Sequence, residues 1–331
     1  MTIPTKATSF ASKLRLELIA RNRVYALGRL HVESYGEPPV VVYAPDGMRH
    51  GNFYDPAYRA IAARSEWLRR FDKVHAQGRS LPKSERKWRE LDSSMSSDAL
   101  LMNVFCTPGI AESPEVQSMV GVADSEMPLF GWKARVPLAS GRFDRTEVDM
   151  RWNSLLVEAK LTESDFQVCK PELVEAYRDI DAVFERDLLG RVRIPVSRPR
   201  SSVELPEEYS QEEVRVPAEE WQPNIWQIAP QSTDGYGSYQ LIRNVLAAYA
   251  TGTSFCVILD ERRPDLREAW FRLMTAVKDS ALRVRLKTLT WQELAAVLPS
   301  PLQAFLGEKY GIFASGYPRR PLHSIAMNDG L

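Results

Sequence analysis

Cysteine is scarce in this sequence. Cys106, Cys169 and Cys256 are odd in number, far apart and free of any Cys-x-x-Cys spacing. That excludes a zinc or iron–sulfur ligand set built on cysteine pairs and a disulfide framework, and it fits a reduced compartment. Histidine is equally thin: His31, His50, His75 and His323 are scattered, and a lone histidine is more often a surface or core residue than a ligand. Neither sign of charge is in excess, since 43 lysines and arginines balance 43 aspartates and glutamates. No global field advertises nucleic acid or membrane, so any such surface has to be local. Residues Met1 to Lys6 hold no signal-peptide core, and no run approaches the roughly 20 apolar residues of a membrane span. The expectation is a cytoplasmic protein with no membrane partner. Internal repeats, coiled-coil heptads and low-complexity tracts are missing as well.

What is present is an ordinary globular composition, 44% apolar and 26% charged over 331 residues, long enough for a large core with an appended segment. The first part, residues 1–94, reads as a mixed helix and strand extension. Leu14, Leu18 and Ile19 mark a short helix, Val40 to Tyr43 a strand, and Asp55-Pro56 a helix start with Asp55 as cap. From Arg59 to Arg89 ten lysines and arginines meet three acids, with Trp67, Phe71 and Trp88 interleaved. Arg69, Arg70, Lys73, Arg86 and Lys87 are the candidates here for tracking a phosphate backbone, against the alternative of a solvated helix face.

The remainder, residues 95–315, alternates helix and strand around a sheet, with an insertion at 163–235 and a tail at 316–331. Ser96 caps a helix through Leu100 and Val104, and a strand-like segment follows from Phe130 to Leu138. Residues 171–189 have the apolar stripe of one amphipathic helix. Five arginines against one acid (Arg186 to Arg200), then seven glutamates against one arginine (Glu204 to Glu220), read as a charged surface loop, with an acidic flap over a basic cleft as the alternative. Trp221 and Trp226 in the same region read as packing residues rather than stacking platforms. Asp234 to Gly237 reads as a turn, and its Gly-x-Gly lacks the rest of a dinucleotide fingerprint. Tyr239 to Tyr249 is a helix, Ser254 to Leu259 a strand, Asp265 with Glu268 a helix cap, Val284 to Leu289 a strand. Thr290-x-x-Glu293 is a capping box, and Ser300-Pro301 opens a last helix that Gly311 stops.

The chemistry-bearing stretch runs from Glu147 to Lys160. Two short strands joined by a turn carry Asp149 on the first and Glu158 and Lys160 on one face of the second, because strand side chains alternate. An aspartate followed by Glu-x-Lys at variable spacing arises about once by chance in a chain of this size. Context raises it. Leu155-Leu156-Val157 runs straight into the two charges, which are costly there unless they bind something. The short turn brings Asp149 near the second strand. Gln240, Arg243 and Asn244 lie at i, i+3 and i+4 on a later helix, three polar side chains on one face. The bland alternatives are an exposed cross-strand pair for Glu158 and Lys160, and core bridging for Gln240 and Asn244.

This layout of helix, strand, strand with Asp149, strand with Glu158-Ala159-Lys160, helix and strand resembles the PD-(D/E)xK phosphodiesterase superfamily, the restriction-endonuclease-like fold. The Gln240-x-x-Arg243-Asn244 helix, the Thr290 to Leu294 segment and the closing Phe305 to Gly311 segment are similar to its bacterial restriction-endonuclease type. The resemblance covers about residues 95–311. Val148 stands where the superfamily's letter pattern has proline, a departure other members share. The implied fold is α/β, a mixed central sheet flanked by helices with a restriction-endonuclease-like core and an N-terminal α+β extension.

The implied activity is metal-dependent hydrolysis of phosphodiester bonds in nucleic acid, DNA before RNA, with Mg2+ or Mn2+ as cofactor. Such cleavage has to neutralise a developing dianion and supply hydroxide at neutral pH, which a hard divalent cation does. Asp149 and Glu158, with the Ala159 carbonyl, are the expected metal ligands. Lys160 beside the cation is expected at a lowered pKa, positioning or deprotonating water. Glu147 is a further ligand or holds Lys160; Gln240 and Asn244 contact phosphate or metal-held water, and Arg243 a phosphate oxygen. Duplex cleavage by a single-site fold calls for a homodimer or a partner protein. Two other functions compete: a catalytically silent nucleic-acid-binding or assembly module using residues 59–89, and a two-carboxylate glycosidase, which leaves Lys160 without a role.

Overall fold

The structure is a computed structural model that describes residues 9–75, 80–83, 87–123, 126–195 and 232–314. Its main helices are α1 (Phe10–Tyr25), α2 (Ser97–Phe105), α3 (Tyr239–Thr251), α4 (Pro264–Ala276), α5 (Trp291–Ala295) and α6 (Ser300–Tyr310). The central sheet comprises β1 (Leu129–Lys133), β2 (Glu147–Trp152), β3 (Leu155–Ala159), β4 (Ser254–Leu259) and β5 (Leu286–Thr290), in spatial order β5-β4-β3-β2-β1. The first three strands form an antiparallel meander, whereas β3, β4 and β5 are parallel. Asn153 at φ 50 and Ser154 make the tight β2–β3 turn, where asparagine tolerates the left-handed region. Parallel neighbours need long crossovers; α3 precedes β4, and α4 lies between β4 and β5.

Both faces of the sheet are covered, so every residue of β3 is buried. Leu155, Val157 and Ala159 point into one core with Cys256 and Ile258 of β4 and with α1, α2 and α6. Leu156 points the other way, joining Phe255 and Val257 against α3 and α4. This is an α/β fold with a mixed central sheet between helices. The N-terminal part is α+β: it adds α1, the antiparallel pair His31–Glu33 and Val41–Tyr43, a hairpin at Pro45–Asp46 and Arg49–His50, and the short helices Asp55–Ala62 and Ser65–Leu68. Leu14, Leu18, Tyr25, Val41 and Tyr43 from this part sit in the same core as Trp152, Val157 and Leu302.

Four local expectations are corrected. The stripe at 171–189 is not one helix but Pro171–Glu175, Ile180–Val183 and a 3-10 turn at Arg186–Leu188. Its middle is drawn off to a neighbouring hairpin: Ala139 N–H donates to the Ala176 carbonyl, Arg178 N–H to that of Pro137, and the Tyr177 hydroxyl to Asp144 at 2.6 Å. Asp234 to Tyr236 is strand rather than turn, within Ser232–Tyr236 paired antiparallel to Arg191–Pro195. Asp265 does not cap α4; Arg263 stands at the cap, and the Asp265 carboxylate is held by its guanidinium at 2.8 Å. Asp55 is likewise inside its helix, with Tyr54 at the cap. The capping box of Thr290 and Glu293, the Ser96 cap and the Gly311 stop form as read. The acidic stretch from Glu204 to Glu220, and Trp221 and Trp226, lie outside the described residues.

Candidate active site

The β2–β3 ladder runs from Trp152↔Leu155 to Met150↔Val157 and stops. The next opposed pair in that register is Asp149 and Glu158. There the Asp149 carboxylate takes over the pairing, accepting a 2.7 Å hydrogen bond from Ala159 N–H through Oδ2. On its other side β3 stays paired, with Lys160 N–H donating to the Ile258 carbonyl at 2.9 Å. Where the strands part, Glu158 and Lys160 are 2% and 5% exposed, so they are not a solvated surface pair. Lys160 Nζ donates to Glu158 Oε1 at 2.8 Å. The second oxygen, Oε2, accepts from Asn244 Nδ2 of α3 at 2.8 Å, and Thr146 Oγ1 donates to Asn244 Oδ1 at 3.3 Å. Trp291 Nε1 of α5 donates to the Lys160 carbonyl at 3.1 Å, fixing the chain as it leaves the strand.

A second group of residues closes the site from the N-terminal side, and the sequence reading missed most of it. Arg70, in the 3-10 turn Arg69–Asp72, donates to Glu147 Oε1 at 2.6 Å and to Asp98 Oδ2 at 2.7 Å. Lys73 Nζ lies 3.7 Å from Asp98 and 3.9 Å from Glu147. Asp98 is in the first turn of α2, and its neighbour Ser97 donates to Glu163, which also accepts from Leu161 N–H. One signal for Asp98 was available: it is the one charged residue between the Ser96 cap and Phe105.

The basic segment is therefore not a uniform face. Arg69, Lys73 and Lys87 are exposed, Arg70 is turned inward onto carboxylates, and Arg86 lies outside the described residues. Trp67 and Trp88 are buried, with the Trp67 indole N–H donating to the Pro128 carbonyl at 2.8 Å, so neither is presented for base stacking. Gln240 and Arg243 are half-buried on α3, with the Arg243 guanidinium 5.2 Å from the Tyr239 ring centre. Of the α3 trio, Asn244 touches the carboxylate centre.

The electrostatics follow from crowding. Burial raises the Asp149 pKa well above the usual carboxylate range, Glu158 and Asp98 raise it further, and Lys160 and the Ala159 N–H only partly oppose them. Burial alone lowers the Lys160 pKa, but Glu158, Glu163 and Asp149 outweigh it and the net shift is upward. Without a cation, then, Lys160 is held protonated, the reverse of the lowered value expected beside one. Arg70 behaves alike: burial acts downward and Asp98, Glu147 and Asp149 more than compensate. Five carboxyl groups (Asp98, Glu147, Asp149, Glu158, Glu163) crowd around three cations (Arg70, Lys73, Lys160), and the raised pKa of Asp149 is the result of that crowding and of burial. Among the described residues no group of three or more His, Cys, Asp and Glu side chains is placed to hold a metal ion. The donor set on offer is two carboxylates and a backbone carbonyl, all hard oxygens. It suits a cation that keeps several waters, as magnesium does, rather than a closed protein cage.

A mixed sheet whose meander feeds a parallel half, flanked by helices on both faces, defines a restriction-endonuclease-like core. A family model described as Restriction Endonuclease associating with ARP matches residues 20–311. The chain belongs to that family, REase-ARP. No curated protein and no solved structure matches it.

Proposed function

We propose that the protein is a metal-dependent nuclease that hydrolyses phosphodiester bonds in DNA as an endonuclease, with Mg2+ or, in its place, Mn2+. Membership of a restriction-endonuclease family supports nuclease chemistry. The observation that carries the metal dependence is the parting of β2 and β3 over Asp149 and Glu158, in a site where five carboxyl groups crowd around three cations. Asp149, Glu158 and the Ala159 carbonyl would hold the ion, which when bound supplies Lewis acidity to the phosphoryl oxygens and lowers the pKa of water.

The chain's own residues then have distinct tasks. The Lys160 ammonium, anchored on Glu158 at 2.8 Å, donates to the attacking water or to a phosphate oxygen and stabilises developing negative charge. Asn244 fixes the plane of the Glu158 carboxylate, and Thr146 fixes the amide of Asn244. Arg243 and Gln240, half-buried on the same helix, contact the backbone phosphates, and exposed Arg69, Lys73 and Lys87 extend that track. The three cysteines are buried free thiols, in keeping with a reducing cytoplasm. No helix among the described residues is long and apolar enough to cross a membrane. The family description names an association with ARP, and we take such a partner to be part of the working complex in preference to a homodimer.

Incubation of the chain with plasmid and linear DNA, with Mg2+ and with chelator, tests the reading. Nicking or linearisation that chelator abolishes is expected. A folded, metal-binding chain that cleaves no DNA would leave a catalytically silent nucleic-acid-binding or assembly module instead.

A further inference from the structure

Arg70 comes from the N-terminal part, yet it is 8% exposed and lies against the acids of the sheet. Its two terminal nitrogens are taken by Glu147 and Asp98 at 2.6 and 2.7 Å, while Nε is buried and makes no hydrogen bond. Buried donors are ordinarily satisfied, so the guanidinium is placed by its two carboxylates at the expense of its third donor. The sheet is shaped to admit it. Gly131 interrupts β1 directly opposite Asp149, between the pairs Phe130↔Met150 and Trp132↔Val148. It has φ +63, and a methyl group there would overlap the Arg70 guanidinium. Glycine within a strand is unfavourable by itself, and here its small size makes room for a cation.

Resting on the reading of Asp149 and Glu158 as cation ligands, we propose that Arg70 is a positioning residue that keeps the cation site in a low-affinity state. Its single guanidinium engages both Asp98 and Glu147 and is held in place close enough to Asp149 to interact with it. A divalent cation entering at Asp149 and Glu158 meets that charge and finds two of the surrounding acids already engaged. Lys73, half-exposed and 3.7 to 3.9 Å from the same acids, cannot impose the same restraint, because water screens it.

The test is calorimetric titration of Mn2+ into the full chain without DNA, for the wild type, Arg70→Met and Arg70→Lys, with thermal unfolding as the check on folding. Removal of the charge in Arg70→Met is expected to tighten Mn2+ binding by about tenfold or more, while Arg70→Lys, which keeps it, stays within about threefold of the wild type. A residue that only supported the fold would lower the unfolding temperature in the Met variant and leave Mn2+ affinity unchanged or weaker. That result, with wild-type binding intact, overturns the proposal alone. A folded wild type that binds no Mn2+ overturns the cation reading and this inference with it. If Arg70→Met does not fold, Arg70→Gln, which retains an amide donor, carries the same expectation.

Discussion

Glu158 has both oxygens engaged, one by Lys160 and one by Asn244. Replacing Asn244 with alanine leaves a buried carboxylate oxygen and the Thr146 hydroxyl short of a partner. The expected loss is about 1–3 kcal/mol of stability, read from denaturant midpoints, with DNA cleavage falling more than DNA affinity. Lys309 on α6 is a second buried polar residue, remote from the carboxylates in its contacts. It is 0% exposed, donates to Asn22 Oδ1 at 3.0 Å and lies 4.2 Å from the Tyr310 ring centre. Burial, and then the charge of Arg29, lowers its pKa well below 10.5. Between the lowered value and 10.5 the unfolded chain binds the extra proton, so this residue makes stability rise with pH in that window and costs stability as pH falls. Lys309→Met is therefore expected to unfold at a higher temperature than the wild type near neutral pH, the gap closing toward pH 10.5. A gap that does not change with pH would rule this out. Asp149, Glu158, Lys160 and Asn244 were legible as candidates because strand and helix periodicity is local. Arg70 was not legible as an inward residue, since its partners Asp98 and Glu147 lie 28 and 77 positions away and only the tertiary fold brings them together.

The short helix α5 ties the exit of β3 to the end of β5. Thr290 and Glu293 make a full capping box at its start, and Trp291, 1% exposed, donates its indole N–H to the Lys160 carbonyl. Trp291→Phe keeps most of the packing and removes that donor, leaving a buried carbonyl unsatisfied. The expected cost is about 1–3 kcal/mol, and Lys160 loses its fixed exit, so cleavage falls while DNA affinity holds. Unchanged cleavage in a folded variant would mean that Lys160 is positioned without α5. Elements of this kind were readable from sequence because a cap, a box or a stop glycine acts within one turn of its own residues. The stripe at 171–189 was misread for the opposite reason. Its apolar spacing is helical, but the carbonyls of Ala176 and Pro137 and the Tyr177 hydroxyl commit the middle of it to a hairpin more than thirty residues upstream. Asp234 to Tyr236 has turn composition, yet the partner strand Arg191–Pro195 supplies ladder bonds that composition does not reveal.

Across the whole molecule the N-terminal part and the restriction-endonuclease-like core share their interior. Leu14, Leu18, Ile19, Tyr25 and Tyr43 pack with Trp152, Val157, Phe305 and Leu306 in one cluster, and α1 lies against α6 through Asn22 and Lys309. Burial of five such side chains contributes on the order of 10 kcal/mol, comparable to the net stability of a domain. A chain beginning at residue 95 is accordingly expected to lose cooperative unfolding and to be digested rapidly in limited proteolysis, whereas a resistant, folded fragment would show that the core stands alone. Sequence periodicity separated these parts by composition, and it could not see that they fill one core. The central claim is that Asp149, Glu158 and Lys160 form one cation-assisted hydrolytic centre, with binding contributed elsewhere. Cleavage of plasmid DNA in Mg2+, measured alongside DNA affinity for the wild type and Lys160→Ala, tests it most directly. The account expects the variant to bind DNA within about threefold of the wild type and to lose cleavage by about a hundredfold or more. A variant that cleaves as well as the wild type, or that loses affinity in step with cleavage, would contradict it.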